Sequence, residues 1–264
     1  MTLTEAFITA ARRYCKEHHT RWTRRYSKER TGTNDPVYSL SDQDYDFLSR
    51  YHVLAAILDE VEKLVGKTFP SLEACRETLF HIGLTARSLF TESDHPIAIA
   101  ARQEEREHFV QYLQSMTPKT LAQVAPLPYR RRLNEEESSI VRQQLLERWH
   151  YDSSHWAPLA GNIPSNTLFV AQSALTPADR SAVTGYICQH AMPHLFEITA
   201  DHTDAEITCS ELDTNCYATV YCDENYNWLI YGSHESTLTF AGEQLLLFVR
   251  QLFTGRERVL NQWP

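Results

Sequence analysis

Glycine is scarce in this chain of 264 residues: there are 8, and the closest two, Gly232 and Gly242, stand ten positions apart. A G-x-G-x-x-G turn or a Walker-type loop needs closely spaced glycines so that backbone amides can close on phosphate. Both kinds of nucleotide site are excluded, although sites built without such loops are not. The six cysteines (Cys15, Cys75, Cys188, Cys209, Cys216 and Cys222) form no C-x-x-C pair. Lacking a ribbon, finger or redox spacing, they are expected to be free, metal-poor thiols, as is usual in a reducing compartment. No stretch approaches the roughly 18 consecutive apolar residues of a membrane helix. The opening MTLTEAFITAARRY has no apolar core followed by a small-residue cleavage site, and Glu5 and Glu17 argue against an organellar leader. The expectation is a cytoplasmic protein, held by no membrane and using no cofactor.

Lysine is missing from residues 151–264, which hold 4 Arg against 13 acids and so carry the full net charge of −9. Residues 1–150 balance at 21 Lys+Arg and 21 Asp+Glu. Eight acids fall between Glu197 and Glu224 with no basic residue among them: Glu197, Asp201, Asp204, Glu206, Glu211, Asp213, Asp223 and Glu224. A field of one sign repels nucleic acid and speeds encounter with a basic protein; an acidic surface that only maintains solubility is the plainer alternative. The first thirty residues run the other way, with eight Lys+Arg against three Glu and with Tyr14, Trp22 and Tyr26 interleaved. Such a mixture can bind single-stranded nucleic acid through phosphate contacts and stacking. Yet Phe7, Ala11, Tyr14, His18 and Trp22 recur at steps of 4, 3, 4 and 4, one face of an amphipathic helix. The periodicity favours a packed helix, and nucleic acid is not the expected partner.

The first 150 residues read as helices. After the turn-like TGTNDP, Ser41 and Asp44 form a capping box. Phe47, Tyr51, Leu54, Leu58, Val61 and Val65 then step along one helical face, with Gly66 placed to end it. Further helices open at Pro70-Ser71, at Asp94-His95-Pro96 and at the Asn134/Glu137 cap. Residues 117–133, with three prolines and the run Arg130–Arg132, read as a connection. Beyond His150 the texture changes. TLFVAQS reads as a strand and TPADRSAVTGYICQHA as a helix capped by Thr176. LFEITA, AEITCSEL, CYATVYCD, NWLIYGSH and TLTFAG read as strands, and Asp223–Asn227 makes residues 216–233 a β-hairpin. A final helix turns Leu245, Phe248, Val249 and Leu252 inward. The fold class is α+β, a helical N-terminal half followed by a mainly antiparallel sheet with flanking helices. The boundary is set at 1–133 and 134–264, unless the two run on as one domain.

Three groups could carry chemistry. His234 and Glu235 are adjacent between apolar runs, but neighbouring side chains on extended chain point opposite ways, and Ser233–Ser236 also suits a tight turn. Cys188, His190 and His194 resemble zinc ligands in type, yet Pro193 breaks a helix between the histidines and no H-E-x-x-H glutamate follows. RWHYDSSHWAPLAG, residues 148–161, offers aromatic anchors for a partner or a plug between two domains. A nucleophile reading with Cys222 or Ser154 can be assembled but has no specific spacing behind it.

RWHYDSSHWAPL and NWLIYGSHESTLTFAG together resemble the immunity proteins of bacterial polymorphic toxin systems, over residues 148–242. The resemblance implies a small cytosolic, acidic protein that binds and blocks a cognate toxin without chemistry of its own; it assigns no site residues. The residues point the same way, to a non-enzymatic module that recognises a basic protein partner; the resemblance implies that this partner is a toxin. The expected contact residues are Asp201, Asp204, Glu206, Glu211, Asp213, Asp223, Glu224, Tyr226 and Trp228. The alternatives are a hydrolase or nuclease-like enzyme using His234/Glu235 or Cys188/His190/His194, and a nucleic-acid binder working through the basic first helix.

Overall fold

A computed structural model describes residues 1–29, 40–153, 155–159, 166–190 and 193–263. The TGTNDP turn and Ser154 lie outside the described residues. The chain forms two compact units, Met1–Leu127 and Pro128–Pro264.

The first unit is helical: α1 (Leu3–Glu29), α2 (Asp42–Glu62), α3 (Leu72–Thr85), α4 (Pro96–Ser115) and the short α5 (Pro118–Leu121). The stripe expected of α1 is the buried one, since Phe7, Ala11, Tyr14 and Trp22 all enter the core and His18 is half-buried. In α2 the buried band is wider than the sequence spacing marks, adding Val53 and Ile57 to Phe47, Leu54 and Val61. Ser41 accepts from the Asp44 amide at 3.2 Å, and the Asp44 carboxylate accepts from the Ser41 amide at 2.9 Å, which closes the expected capping box. Inside this core Arg12 meets Glu62 at 3.2 Å with both side chains 3% exposed. Buried charges of this kind persist only as pairs.

The second unit is a seven-stranded antiparallel sheet in the order β1-β4-β3-β5-β6-β7-β2. Its strands are β1 (Arg130–Arg132), β2 (Thr167–Ala171), β3 (His194–Thr199), β4 (Ala205–Thr208), β5 (Thr219–Asp223), β6 (Leu229–Gly232) and β7 (Thr237–Ala241). The expected hairpin is present, with Cys222 opposite Leu229 and Thr219 opposite Gly232. Helices α7 (Pro177–His190) and α8 (Glu243–Leu252) cover one face, where Tyr221, Ile230, Leu238 and Phe240 meet Val183, Ile187, Leu245 and Val249. Helix α6 (Glu135–Trp149) and the segment after it cover the other, where Val220, Cys222, Leu229 and Tyr231 meet Leu145, Tyr151 and Trp156. Burial on both faces explains why β5 and β6 read as nearly continuous apolar runs, and why the threonines that alternate with Leu238 and Phe240 on β7 are themselves buried.

Three expectations are corrected. Arg130–Arg132 is no connection but the edge strand β1, paired with β4, so it belongs with the sheet. Tyr151 and Trp156 are 1% and 0% exposed and pack on the sheet's second face; they serve neither as free anchors nor as a plug between domains. Nor are the cysteines all free. Cys188, at the end of α7, is joined to Cys209 in a disulfide, while Cys15, Cys75, Cys216 and Cys222 are buried thiols. A separation of 21 residues carries no sequence signature; only the antiparallel return of β3 and β4 brings the two together.

Two outcomes follow from these contacts. Thiol titration of the denatured, unreduced protein is expected to count four of the six cysteines, and all six after a dithiol reductant; six from the start would remove the Cys188–Cys209 bond. Acid stability should depend on Asp179, which is 4% exposed, caps α7 through Thr176 and is gripped by both terminal nitrogens of Arg256 at 2.5 and 3.0 Å. The Arg256 hydrogen bonds, with those from Thr176, hold its carboxyl down at about 2. A depressed carboxylate adds stability that is complete above the unfolded value of about 3.9 and is lost as pH falls through the folded one. Urea midpoints should therefore decline between about pH 4 and 2, and Asp179→Asn should lower the plateau and flatten that decline. An unchanged slope in the variant would show the pair to be inert.

Candidate functional site

The nine expected contact residues do not form one bare acidic face. Asp204, 2% exposed, receives Arg142 at 2.6 and 2.8 Å, the Ser138 hydroxyl at 2.5 Å and the Thr199 amide at 3.0 Å. Glu206 is half-buried and receives Arg131 at 2.9 Å and the Tyr129 hydroxyl at 3.0 Å, with His194 at 3.3 Å. Glu197 is bonded to Arg130 and to the Tyr221 hydroxyl. Asp201 is exposed but organises its own turn, accepting both threonine hydroxyls of Thr199 and Thr203 at 2.6 Å. Its carboxyl stays below the usual range: burial opposes the charge, and the threonine bonds outweigh it. Asp213 and Glu224 are exposed, and Asp213 accepts the Asn215 amide at 2.8 Å. Glu211 is half-buried. The arginines that engage these acids come from β1 and α6, N-terminal to the acid-rich stretch. Counted over the true unit, residues 128–264, there are 9 Arg against 17 acids, so a net −8 remains.

The structure gathers some of the expected residues at a cleft of about 660 Å³. Asp223 and Trp228 line it from the β5–β6 hairpin, Trp149 and Arg148 from the end of α6, Tyr186 and His190 from α7, and Glu243 from the start of α8. Each wall has a local cause. Asp223, 6% exposed, accepts the Asn227 amide at 2.6 Å and its side-chain amide at 3.1 Å, which closes the hairpin turn. The Trp149 indole donates to the Tyr226 carbonyl at 3.1 Å, tying α6 to that turn. Tyr226 itself has φ 55°, and its phenol, pushed up to about 12 by burial, lies 6.2 Å from Phe196, outside the cleft lining. Tyr186 stacks on Phe248 at 4.2 Å, holding α7 beside α8. Gly242 caps α8 at φ 104°, and a Cβ there would stand 2.6 Å from the Asn227 carbonyl oxygen. No other residue lets β7 turn into α8 so close to the hairpin. Arg148 is turned onto the hairpin, donating to the Asn225 carbonyl at 3.1 Å and the Asn227 side chain at 3.3 Å. Trp149, Trp228 and Tyr186 stay half-buried, and Glu243 is exposed at the rim. Sequence reading found Asp223 and Trp228 as contacts and placed Trp149 in the aromatic segment 148–161, but missed Tyr186 and Glu243, which only the fold brings beside them.

The catalytic candidates are dispersed. His234 and Glu235 occupy the β6–β7 turn, where the buried Ser233 hydroxyl accepts the amides of Glu235 at 3.1 Å and Thr237 at 3.2 Å. The His234 ring stands 4.6 Å from Tyr217 and 5.8 Å from His155, in a shallow 420 Å³ hollow with Asp201. Cys188 spends its sulfur in the disulfide, the His190 ring bonds the Tyr186 carbonyl at 2.8 Å, and His194 lies on β3 against Tyr129 and Glu206. Among the described residues no three His, Cys, Asp or Glu side chains converge as metal ligands. Cys222 is fully buried, and burial lifts its thiol far above the ordinary range, which opposes a thiolate nucleophile. No family model matches the chain, and neither a curated protein nor a solved structure shows significant similarity to it.

The two kinds of acid should separate by stability. Asp204→Ala strands a buried arginine and is expected to cost roughly 3–5 kcal/mol, whereas Asp213→Ala should stay within about 0.5 kcal/mol. Urea unfolding monitored by tryptophan fluorescence measures both. Equal, small effects would mean that Asp204 is no anchor.

Proposed function

We propose that this chain is a binding protein that captures a basic protein partner through its second unit, in the manner of a toxin-immunity protein, with no chemistry of its own. The observation that supports it most is the aromatic cleft, open on a unit whose net charge is −8. Half-buried Trp149, Tyr186 and Trp228 offer flat apolar walls, and Glu243 at the rim supplies the opposite charge. An arginine or lysine side chain stacked in such surroundings gains both cation–π and Coulomb energy. The exposed acids Asp201, Asp213 and Glu224 act differently, accelerating encounter without being buried by it. The cytoplasm is the proposed location. There the exposed Cys188 end of the disulfide is open to thiol reductants, and the four buried cysteines remain thiols. Among the described residues no helix is long and apolar enough to cross a membrane.

Kinetics by surface resonance, against a basic protein that co-purifies with the full chain, test this reading. Asp201→Asn/Asp213→Asn/Glu224→Gln should slow association on the order of tenfold at low salt and flatten its salt dependence, with little change in dissociation. Trp228→Ala should do the reverse, raising the dissociation rate roughly tenfold. Association unchanged by the triple variant, together with dissociation unchanged by Trp228→Ala, removes both supports.

A further inference from the structure

The first unit carries a surface of opposite sign. Arg21, Arg24 and Lys28 follow one another at i, i+3 and i+7 on the exposed side of α1, with Arg25 beside them. Arg25 bonds Glu29 at 2.9 Å, whereas Arg21, Arg24 and Lys28 form no ion pair among the described residues. A groove of about 560 Å³ runs between Lys16, Thr20, Arg21, Arg24 and Arg25, and among the described residues Glu17 is the one acid in its lining.

The arginines are held in advance. Guanidinium carbons of Arg21 and Arg25 lie 5.1 and 4.9 Å from the centre of the Trp22 ring, and Arg50 lies 4.8 Å from it. The ring is fixed from beneath: its N–H donates at 3.1 Å to Glu105, a fully buried carboxylate that also receives Arg50 at 3.2 Å. Guanidinium groups ordered by stacking lose less side-chain entropy when they bind. Their neighbours limit what they fit. Tyr14 and Trp22 are 7% and 8% exposed and Tyr26 is half-buried against the core, so no fully exposed ring offers itself to a base or to a protein pocket. Residues 16–29 contain no Leu, Ile, Val, Met or Phe, which leaves nothing to enter a lipid surface. A partner that needs only a row of cations is a phosphodiester backbone, with a charge for about every 1.7 Å of duplex axis.

We propose that Arg21, Arg24, Arg25 and Lys28 on α1 bind the phosphate backbone of nucleic acid without reading its sequence. This is independent of the protein-binding reading of the second unit. It uses no base stacking, since Tyr14 and Trp22 are core residues and Tyr26 is half-buried. The first unit as a whole holds 16 Lys+Arg against 17 acids, so the attraction is local and the binding weak, roughly 10⁻⁴ to 10⁻⁶ M at physiological salt.

Fluorescence anisotropy of the full chain with labelled oligonucleotides of two unrelated sequences, single-stranded and duplex, tests it. Affinity should be equal for the two sequences and, between about 50 and 200 mM salt, should fall about 40-fold or more for duplex and about 18-fold or more for single strands, as expected for at least three neutralised phosphates. Arg21→Gln/Arg24→Gln/Lys28→Gln, checked for fold by circular dichroism, should flatten the log–log salt slope by about 2.7 on duplex and about 2.1 on single strands. Glu17→Gln, at an exposed position, should tighten binding. The proposal is overturned by absence of binding at the lower salt, by an unchanged slope in the triple variant, by no gain from Glu17→Gln, or by polyglutamate competing as well as nucleic acid.

Discussion

The second face of the sheet depends on one buried carboxylate. Asp204 begins the return from β3 to β4, and its oxygens receive bonds from Ser138 and Arg142, one helical turn apart on α6, and from the Thr199 amide. A charge this deep is tolerated only when its lone pairs are met. Helix α6 therefore has one register on the sheet, the one that brings Ser138 and Arg142 to Asp204. That register turns Val141 and Leu145 inward and sets where the helix ends. At the end, His150 takes a left-handed conformation at φ 55°, the chain reverses, and Tyr151 and Trp156 fall onto Tyr231. Trp149, the last helical residue, is left at the cleft. The placement of one cleft wall thus follows from a contact made several residues earlier, on the other side of the sheet.

What could be read in advance was what local patterning encodes. The α2 stripe, the Ser41 and Asn134 caps and the hairpin about Asp223–Asn227 rest on residues close in sequence, where helical spacing and turn chemistry act directly. Arg130–Arg132 failed as a strand signal because three arginines have no apolar face to show. They become a strand through the acids opposite: Arg131 is in register with Glu206 on β4, and Arg130 reaches Glu197 on β3. Cross-strand ion pairs supply what apolar alternation supplies elsewhere. Cys188 and Cys209 were illegible for a related reason, since the fold and not their spacing makes them neighbours. Of the cleft, the two hairpin residues and Trp149 could be singled out but not recognised as neighbours, because its walls come from the hairpin and three separate helices.

The same pairing alters the meaning of the acidic stretch. Read linearly, eight acids without a basic residue look like a single field. In the fold Glu197, Asp204 and Glu206 lie against arginines of β1 and α6, and a paired, buried charge contributes little beyond its own neighbourhood. Of the eight acids in this stretch, Asp201, Asp213 and Glu224 are exposed, in the connections between strands. Acids at turns are free of the sheet's packing demands, whereas acids on strands at this sheet's edge are consumed in holding β1, β4 and β3 together. Pairing within the sheet and exposure to solvent thus divide the members of one sequence cluster.

The tryptophans divide by the same logic. Trp22 and Trp156 are buried to 8% and 0% exposure, and each donates its indole N–H to a fixed acceptor, Glu105 and the Trp149 carbonyl. Their aromatic surface is spent on the core, and what they do for a surface they do indirectly, as Trp22 does by holding arginines over its ring. Trp149 and Trp228 are half-exposed, and both border the cleft. A ring left partly wet beside a hairpin turn and a glycine-opened helix start exposes more apolar area than an aliphatic side chain closing the same gap, even where, as in Trp149, its indole N–H also ties a helix to the turn. Trp263, 53% exposed, stands 5.7 Å from Phe169 outside the cleft lining, so two half-buried tryptophan rings at one cleft, more than exposure or net charge, distinguish this part of the second unit's surface.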